Sequence, residues 1–290
     1  MRYQPHKIWY PALFLSWVGV HLGCSGPAQM TRPPGSVLSG LQNVASFAML
    51  FKKVSLQALE PFDMLILEPD EYTRRDLREL TARGKIVLAY LNIGEIEAYR
   101  PYAAEVRPEW LLSPNPNWAG HIFVDPAQRG WWHLLQRRAI EPILEMGFQG
   151  LFLDSVDLAA NGRFPETRPA MVKFIRWLHQ KNPSSILLLN NGLFLLDDVA
   201  HSVHGVVLEE AFSVADEQGN YRIRSSAEQR SILQEISQAR ERWRCPLFLV
   251  EYCPGAKSPG CARLGRLCRQ TGLPYFLTDV HATRLYPHIY

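Results

Sequence analysis

Short apolar runs recur along the chain, separated by longer stretches with helical periodicity. Nine runs read as strands, at 46–51, 64–67, 86–91, 121–125, 150–154, 186–190, 206–209, 247–251 and 275–278. Most are apolar at successive positions rather than alternating, the signature of strands buried on both faces of a parallel sheet. Helical patterns fall between several of them. The stretch 73–83 carries Leu77 and Leu80 and stops at Gly84, a residue suited to a helix C-terminus. The stretch 131–146 stops at Gly147, 167–180 stops before Asn182-Pro183, and 227–243 places Ile232, Leu233, Ile236 and Ala239 on one face. Repeated strand–helix units imply right-handed crossovers and predict a (β/α)8 TIM-like barrel. Nine strands exceed eightfold closure by one, so one run is an addition or a misreading.

Carboxylates stand at the ends of these runs. Asp154 ends Leu151-Phe152-Leu153, Asp157 follows, and Glu95 and Glu97 follow the run at 86–91. Asp125, Glu209 with Glu210, Glu251 and Asp279 repeat the design. In such a barrel the active site lies at the C-terminal face of the strands, so these acids would converge on one groove. An Asp after a strand also caps turns and helices, which suits Asp125 and Asp279. Glu209 and Glu210 are neighbours, so strand alternation sends only one inward. Two separated carboxylates at one groove are the equipment of glycoside hydrolysis. Asp154 and Glu209, with one strand between them, are the expected pair. Tyr90, Tyr99, Tyr102, Trp118, Trp131, Trp132, Phe212 and Tyr252 lie near strand ends, and aromatic faces stack on sugars and attract cations. Trp131 and Trp132 equally suit packing of a helix onto the barrel.

Composition narrows the classes. Of 290 residues 47% are hydrophobic and 20% charged, enough apolar mass for a sizeable core. The net charge of +3 comes without basic blocks, which argues against nucleic-acid binding. Residues 1–24 read as a signal or lipoprotein-like segment, with basic Arg2 and Lys7 before an apolar stretch. Cys24 after Gly23 is a lipidation candidate, although His21 departs from the Leu usual at a lipoprotein site. Residues 25–42, with Pro33, Pro34 and Gly35, read as a tether, and 43–290 as the barrel domain. Export is expected, to the periplasm, the outer membrane as a lipoprotein, or the medium, with membrane attachment through the N-terminus. Cys245, Cys253, Cys261 and Cys268 cluster near the C-terminus, which in an exported protein suggests two disulfides. Cys253–Cys261 would close a Gly/Pro loop and Cys245–Cys268 would be the other, although three connectivities exist. No H-x-H or H-E-x-x-H spacing occurs, and no metal or cofactor is expected.

Two longer motifs carry a resemblance. Tyr90-Leu91-Asn92-Ile93-Gly94-Glu95-Ile96-Glu97-Ala98-Tyr99-Arg100-Pro101-Tyr102 and Gly147-Phe148-Gln149-Gly150-Leu151-Phe152-Leu153-Asp154-Ser155-Val156-Asp157 resemble signatures of glycoside hydrolase family 114, the endo-α-1,4-polygalactosaminidases. Asn190-Asn191-Gly192, Val207-Leu208-Glu209-Glu210-Ala211-Phe212 and Val250-Glu251-Tyr252-Cys253 resemble later blocks in the same order. The resemblance implies a (β/α) barrel cleaving inside α-1,4-linked galactosamine-containing polysaccharide, a cationic amino-sugar polymer. It places the catalytic pair on Asp154 and Glu209, with Glu210 as a one-residue alternative. Tyr90, Glu95, Glu97, Arg100, Asp157, Asn190, Asn191, Glu210 and Glu251 are then the expected substrate-binding or supporting groups, with Arg100 equally suited to a salt bridge with Glu97. A monomer is expected. The alternative is a non-catalytic polysaccharide-binding surface protein on the same barrel.

Overall fold

The structure is a computed structural model that describes residues 37–160, 163–215 and 220–286. The signal segment and Cys24 lie outside the described residues. Part of the expected tether does not: Val37–Gln42 form a short helix, and Leu41 is buried against the body.

Thirteen strands lie among the described residues. In chain order they are β1 (Phe47–Leu50), β2 (Met64–Leu67), β3 (Ile86–Asn92), β4 (Glu95–Glu97), β5 (Leu111–Pro114), β6 (His121–Val124), β7 (Gly150–Asp154), β8 (Ile186–Asn190), β9 (Gly205–Glu209), β10 (Ser213–Ala215), β11 (Tyr221–Ile223), β12 (Leu247–Tyr252) and β13 (Tyr275–Thr278). Eight of them form one parallel sheet in the order β1-β2-β3-β7-β8-β9-β12-β13. The sheet curls into a nearly closed barrel with helices between the strands. At the seam between β13 and β1, Phe47 meets Phe276 at 6.2 Å between ring centroids, and Phe51 N–H donates to Ala282 C=O at 2.8 Å. The fully apolar runs are buried throughout, as strands covered on both faces must be.

The surplus strand is His121–Val124. It leaves the barrel and forms the centre of a small antiparallel sheet, β4-β6-β5, inserted after β3. The corrected position has a simple cause: β6 is half-exposed on one end and pairs with the short segments around it, where a parallel barrel strand would need a long crossover on each side. The expected helix 131–146 is also interrupted. Arg129–Leu135 and Glu141–Met146 are α-helical, with a π-helical turn at Gln136–Ile140. Pro142 has no N–H to give to the preceding turn, which favours such a bulge. Trp131 ties this helix to the end of β3, and Trp132 packs it against the neighbouring helix Arg168–Lys181. Trp132 stacks on Phe174 at 4.8 Å, and Trp131 Nε1 donates to Ile93 C=O at 2.9 Å.

Cys253 and Cys261 form a disulfide. The expected Cys245–Cys268 bridge is absent, because Cys268 lies with Cys261 and Leu264 on the buried face of the helix Pro259–Thr271 and is a buried thiol. Among the described residues no helix is long and apolar enough to cross a membrane.

At the start of β7 the chain passes very close to β8. A methyl group on Gly150 would stand 2.1 Å from the backbone oxygen of Ile186. Gly150→Ala is therefore expected to cost about 3 kcal/mol and to lower Tm by roughly 6–12 °C. Gly255→Ala, with nothing near its Cβ position, should leave Tm within about 2 °C; differential scanning calorimetry on both variants checks the contrast.

Candidate active site

Three neighbouring strands end in the same way. Asp154 closes β7, Asn190 closes β8 and Glu209 closes β9, and each is followed by a non-glycine residue in the left-handed region: Ser155 at φ 58°, Asn191 at φ 48° and Glu210 at φ 58°. Such conformations are uncommon and cost energy, and they persist only where surrounding contacts hold them. Here they turn the chain away at the rim and leave the three preceding side chains together at the C-terminal mouth.

Asn190 joins the two acids. Its Nδ2 donates to Asp154 Oδ1 at 2.7 Å and to Glu209 Oε1 at 3.2 Å. Those two oxygens can stand no further apart than the two bonds end to end, about 5.9 Å. Asn190 Oδ1 is buried and has no donor within the described residues. Asp154 also accepts from Ser155 N–H at 2.7 Å and lies 2.9 Å from Tyr90 Oη. Glu209 Oε2 accepts from Tyr252 Oη at 2.7 Å. Asn191 Oδ1 accepts from Glu209 N–H at 3.0 Å and so fixes the strand end rather than facing the pair.

Burial dominates the electrostatics. Loss of hydration raises Asp154 to about 6, although the Asn190 bond works against this. Loss of hydration raises Glu209 further, to about 8, reinforced by the Asp154 charge. Two carboxylates this close cannot both ionise freely. Asp154 has three donors against two for Glu209, which favours the charge on Asp154. Asp157, on the turn after β7, is also raised by burial, offset by Arg163 at 3.7 Å.

Several expected contacts sit beneath the mouth instead of lining it. Glu251 is 0% exposed, and its oxygens accept from Phe212 N–H, Ser213 N–H and Ser213 Oγ at 2.6–2.9 Å; it pins the segment after β9. Burial lifts Glu251 to about 7. Glu210 points away from the pair, accepting from Ala215 N–H, while its carbonyl accepts from Arg224 Nε. Glu95 is buried in the small sheet against Asn115 Nδ2 at 2.8 Å and His121 Nδ1 at 3.0 Å. Burial opposes charge on His121, but the Glu95 partner holds its pKa above the ordinary value. Arg100 is buried in an ion network: Glu68 at 2.6 and 2.9 Å, Glu97 at 2.6 Å and Asp70 at 3.0 Å. Of the alternatives for Arg100, the salt bridge is the one formed. Asp125 caps its own turn through Ala127 N–H, and Asp279 does the same through Thr283.

Sequence reasoning missed two partners of this site. Glu68 follows β2 and repeats the pattern of an acid after an apolar run, so the signal was present. His121 gave none, because its role comes from the β4–β6 pairing that sets it opposite Glu97. Among the described residues no group of three or more His, Cys, Asp or Glu is placed to hold a metal ion.

A barrel with paired acids on alternate strand ends has counterparts. Residues 28–281 match the profile of Glycoside-hydrolase family GH114. The chain belongs to this family. An uncharacterized protein of Deinococcus radiodurans is 26% identical over 260 residues, covering 79% of this chain and 80% of that one. Among solved structures, the glycoside hydrolase domain of PelA from Pseudomonas aeruginosa superposes with a TM-score of 0.74 at 24% identity, covering 84% of this chain and 98% of that domain. Aspergillus fumigatus Ega3, solved in complex with galactosamine, gives 0.66 at 14% identity, covering 82% and 91%. These structural likenesses show the same barrel fold.

The raised pKa values fix a sign for stability. Folded Asp154 and Glu209 hold protons more tightly than the unfolded chain, whose values are near 3.8 and 4.5. The Asp154 penalty therefore grows as pH rises from about 4 to about 6, and the Glu209 penalty from about 4.5 to about 8. Glu209→Gln is expected to match or exceed the wild-type Tm at pH 8.5 and to lose its advantage at pH 5, as read by thermal unfolding at both values.

Proposed function

We propose that this GH114 protein is an endo-acting glycosidase on α-1,4-linked galactosamine-containing polysaccharide, with Asp154 as nucleophile and Glu209 as acid/base. The observation that carries the reading is the single amide nitrogen of Asn190 shared by both carboxylates. The resulting limit of about 5.9 Å between those two oxygens is in keeping with the close carboxyl pair, ~5–5.5 Å apart, of retaining enzymes and favours that reading over the ~6.5–9.5 Å of inverting ones.

In this scheme Glu209 gives its proton to the departing glycosidic oxygen while Asp154 attacks the anomeric carbon. A glycosyl ester forms on Asp154 and the leaving chain departs as an alcohol. Ionised Glu209 then takes a proton from water, the resulting hydroxyl displaces Asp154, and the pair returns to its starting state with the configuration retained. Tyr252 and Asn190 steady Glu209 through this change of charge. The substrate class is supported by the family and by charge. Asp154, Asp157 and the acids behind them give the mouth a negative potential, which attracts an ammonium-bearing sugar chain. Export is supported by the Cys253–Cys261 bond, since disulfides persist in oxidising compartments. The protein is proposed to act as a monomer.

Incubation of the secreted domain with partly deacetylated galactosaminogalactan should release internal fragments with new reducing ends, mapped by mass spectrometry, and NMR of early products should show retained anomeric configuration. Asp154→Asn and Glu209→Gln should each cut turnover at least 100-fold with the fold intact. Binding without cleavage by the wild type would favour the non-catalytic alternative. The pH profile of kcat/KM should be a bell: Asp154 must be ionised, so activity rises through about pH 6, and Glu209 must be protonated, so it falls through about pH 8. A profile still rising beyond pH 9 would overturn the requirement for a proton donor that titrates near 8.

A further inference from the structure

The hydroxyl of Tyr90 stands between two carboxylates, 2.9 Å from Asp154 Oδ2 and 3.1 Å from Glu97 Oε1. It has one hydrogen, so it can serve only one of them well. Glu97 is already supplied. Its Oε2 accepts from Arg100 Nε at 2.6 Å, and its Oε1 accepts from Tyr99 Oη at 2.7 Å. Asn92 Nδ2 approaches Tyr90 Oη from the side at 3.4 Å, offering a donor and taking nothing. Tyr99 is the outermost member of this chain: the residue is 62% exposed, and the Arg100 guanidinium lies over its ring at 4.8 Å.

We propose that Tyr99 and Arg100 are positioning residues that act through Glu97, saturating that carboxylate so that the Tyr90 hydrogen is directed to Asp154 and steadies its anion. Neither touches Asp154. Their effect passes through a two-way hydrogen bond whose direction is set by which acceptor is hungrier. A charge-assisted bond of this kind is strong enough to move a carboxylate's titration by about one pH unit. Asp154 also faces the charges of Glu209, Asp157 and Glu95, with His121 behind Glu95 and Tyr252 behind Glu209. None of these hydrogen-bonds to Tyr90 or Tyr99, so they form a constant background when Tyr99 is changed. Burial of Asp154 raises its pKa and makes it sensitive to the loss of a single donor.

The role of Asp154 as nucleophile comes from the proposed function, but its protonation can be read without substrate. The test is a double-mutant cycle on Tyr99→Phe and Tyr90→Phe. In each variant the Asp154 carboxyl is titrated by 13C NMR, and Asp154→Asn assigns the signal. Tyr99→Phe keeps the ring and removes only the hydroxyl, so the fold should hold. It should raise the Asp154 midpoint by about half to one pH unit, as Glu97 draws the Tyr90 hydrogen back. Tyr90→Phe should raise it by a similar or larger amount, and adding Tyr99→Phe to that background should change nothing further. In active protein the acid limb of kcat/KM should move in the same pattern with KM little altered. Equal shifts from Tyr99→Phe in both backgrounds, or no shift in the wild-type background, would overturn the relay. Arg100→Lys keeps the charge but loses the Nε geometry and should shift the midpoint in the same direction as Tyr99→Phe; an unchanged midpoint would remove Arg100 from the relay. Correct NMR shifts in a protein with no glycosidase activity would uphold the relay while defeating the proposed reaction.

Discussion

Two carboxylates share one amide nitrogen at the partly buried mouth of the barrel, and ionising one works against ionising the other. That constraint organises the mouth of the barrel. Asn190 bridges Asp154 and Glu209, Tyr90 and Ser155 N–H add donors on one side, and Tyr252 adds one on the other. The uneven supply of donors sets the two acids apart, as the proposed division into nucleophile and acid/base requires. Acid/base division between otherwise similar groups arises in this way wherever environment separates their pKa values.

Holding such a pair requires a rigid rim. The left-handed residues Ser155, Asn191 and Glu210 each sit just beyond a functional strand end, and each is held by a hydrogen bond of its own or its neighbour's backbone. Asn191 N–H donates to Val207 C=O at 2.8 Å and Glu210 N–H to Val250 C=O at 2.9 Å. Glu251, which does no facing of the mouth, fastens the segment that follows Glu210. The acids are thus divided between the mouth, where Asp154 and Glu209 share Asn190, and the scaffold, where Glu251 bonds only to the segment after β9. Hydrogen bonds work against desolvation at both kinds of acid, yet Glu251 as well as Asp154 and Glu209 stays above its ordinary value.

The small antiparallel sheet carries the connection outward. It lifts Glu95 and Glu97 off the line of β3 and returns His121 beside them. Glu97 thereby touches both the Arg100 network and the Tyr90 hydroxyl that reaches Asp154. A change at an exposed tyrosine and a change at the mouth of the barrel are then linked through three contacts, each between groups that can supply or accept only a limited number of hydrogens.

The parallel barrel was legible in the linear pattern, because strands buried on both faces leave continuous apolar runs and their lengths and spacing survive in one dimension. Asp154 and Glu209 were legible for the same reason, as polar residues closing such runs on alternate strands. The short strands β4, β5, β10 and β11 were not, since segments of three or four residues take their conformation from their partners. Nor could sequence tell a mouth-lining acid from a buried one. Glu95, Glu97 and Glu251 look no different from Asp154 as letters, and only folding decides which of these acids turns into the scaffold and which faces the site. The two cysteines that bond, Cys253 and Cys261, and the one that is buried unbonded, Cys268, divide on the same ground: chain proximity suggested the first pair, while helix orientation settled the third. The chain alone determined what must be buried and in what period. The tertiary structure determined which neighbours each buried polar group would share, because hydrogen bonds depend on distance and direction across strands that are far apart in sequence.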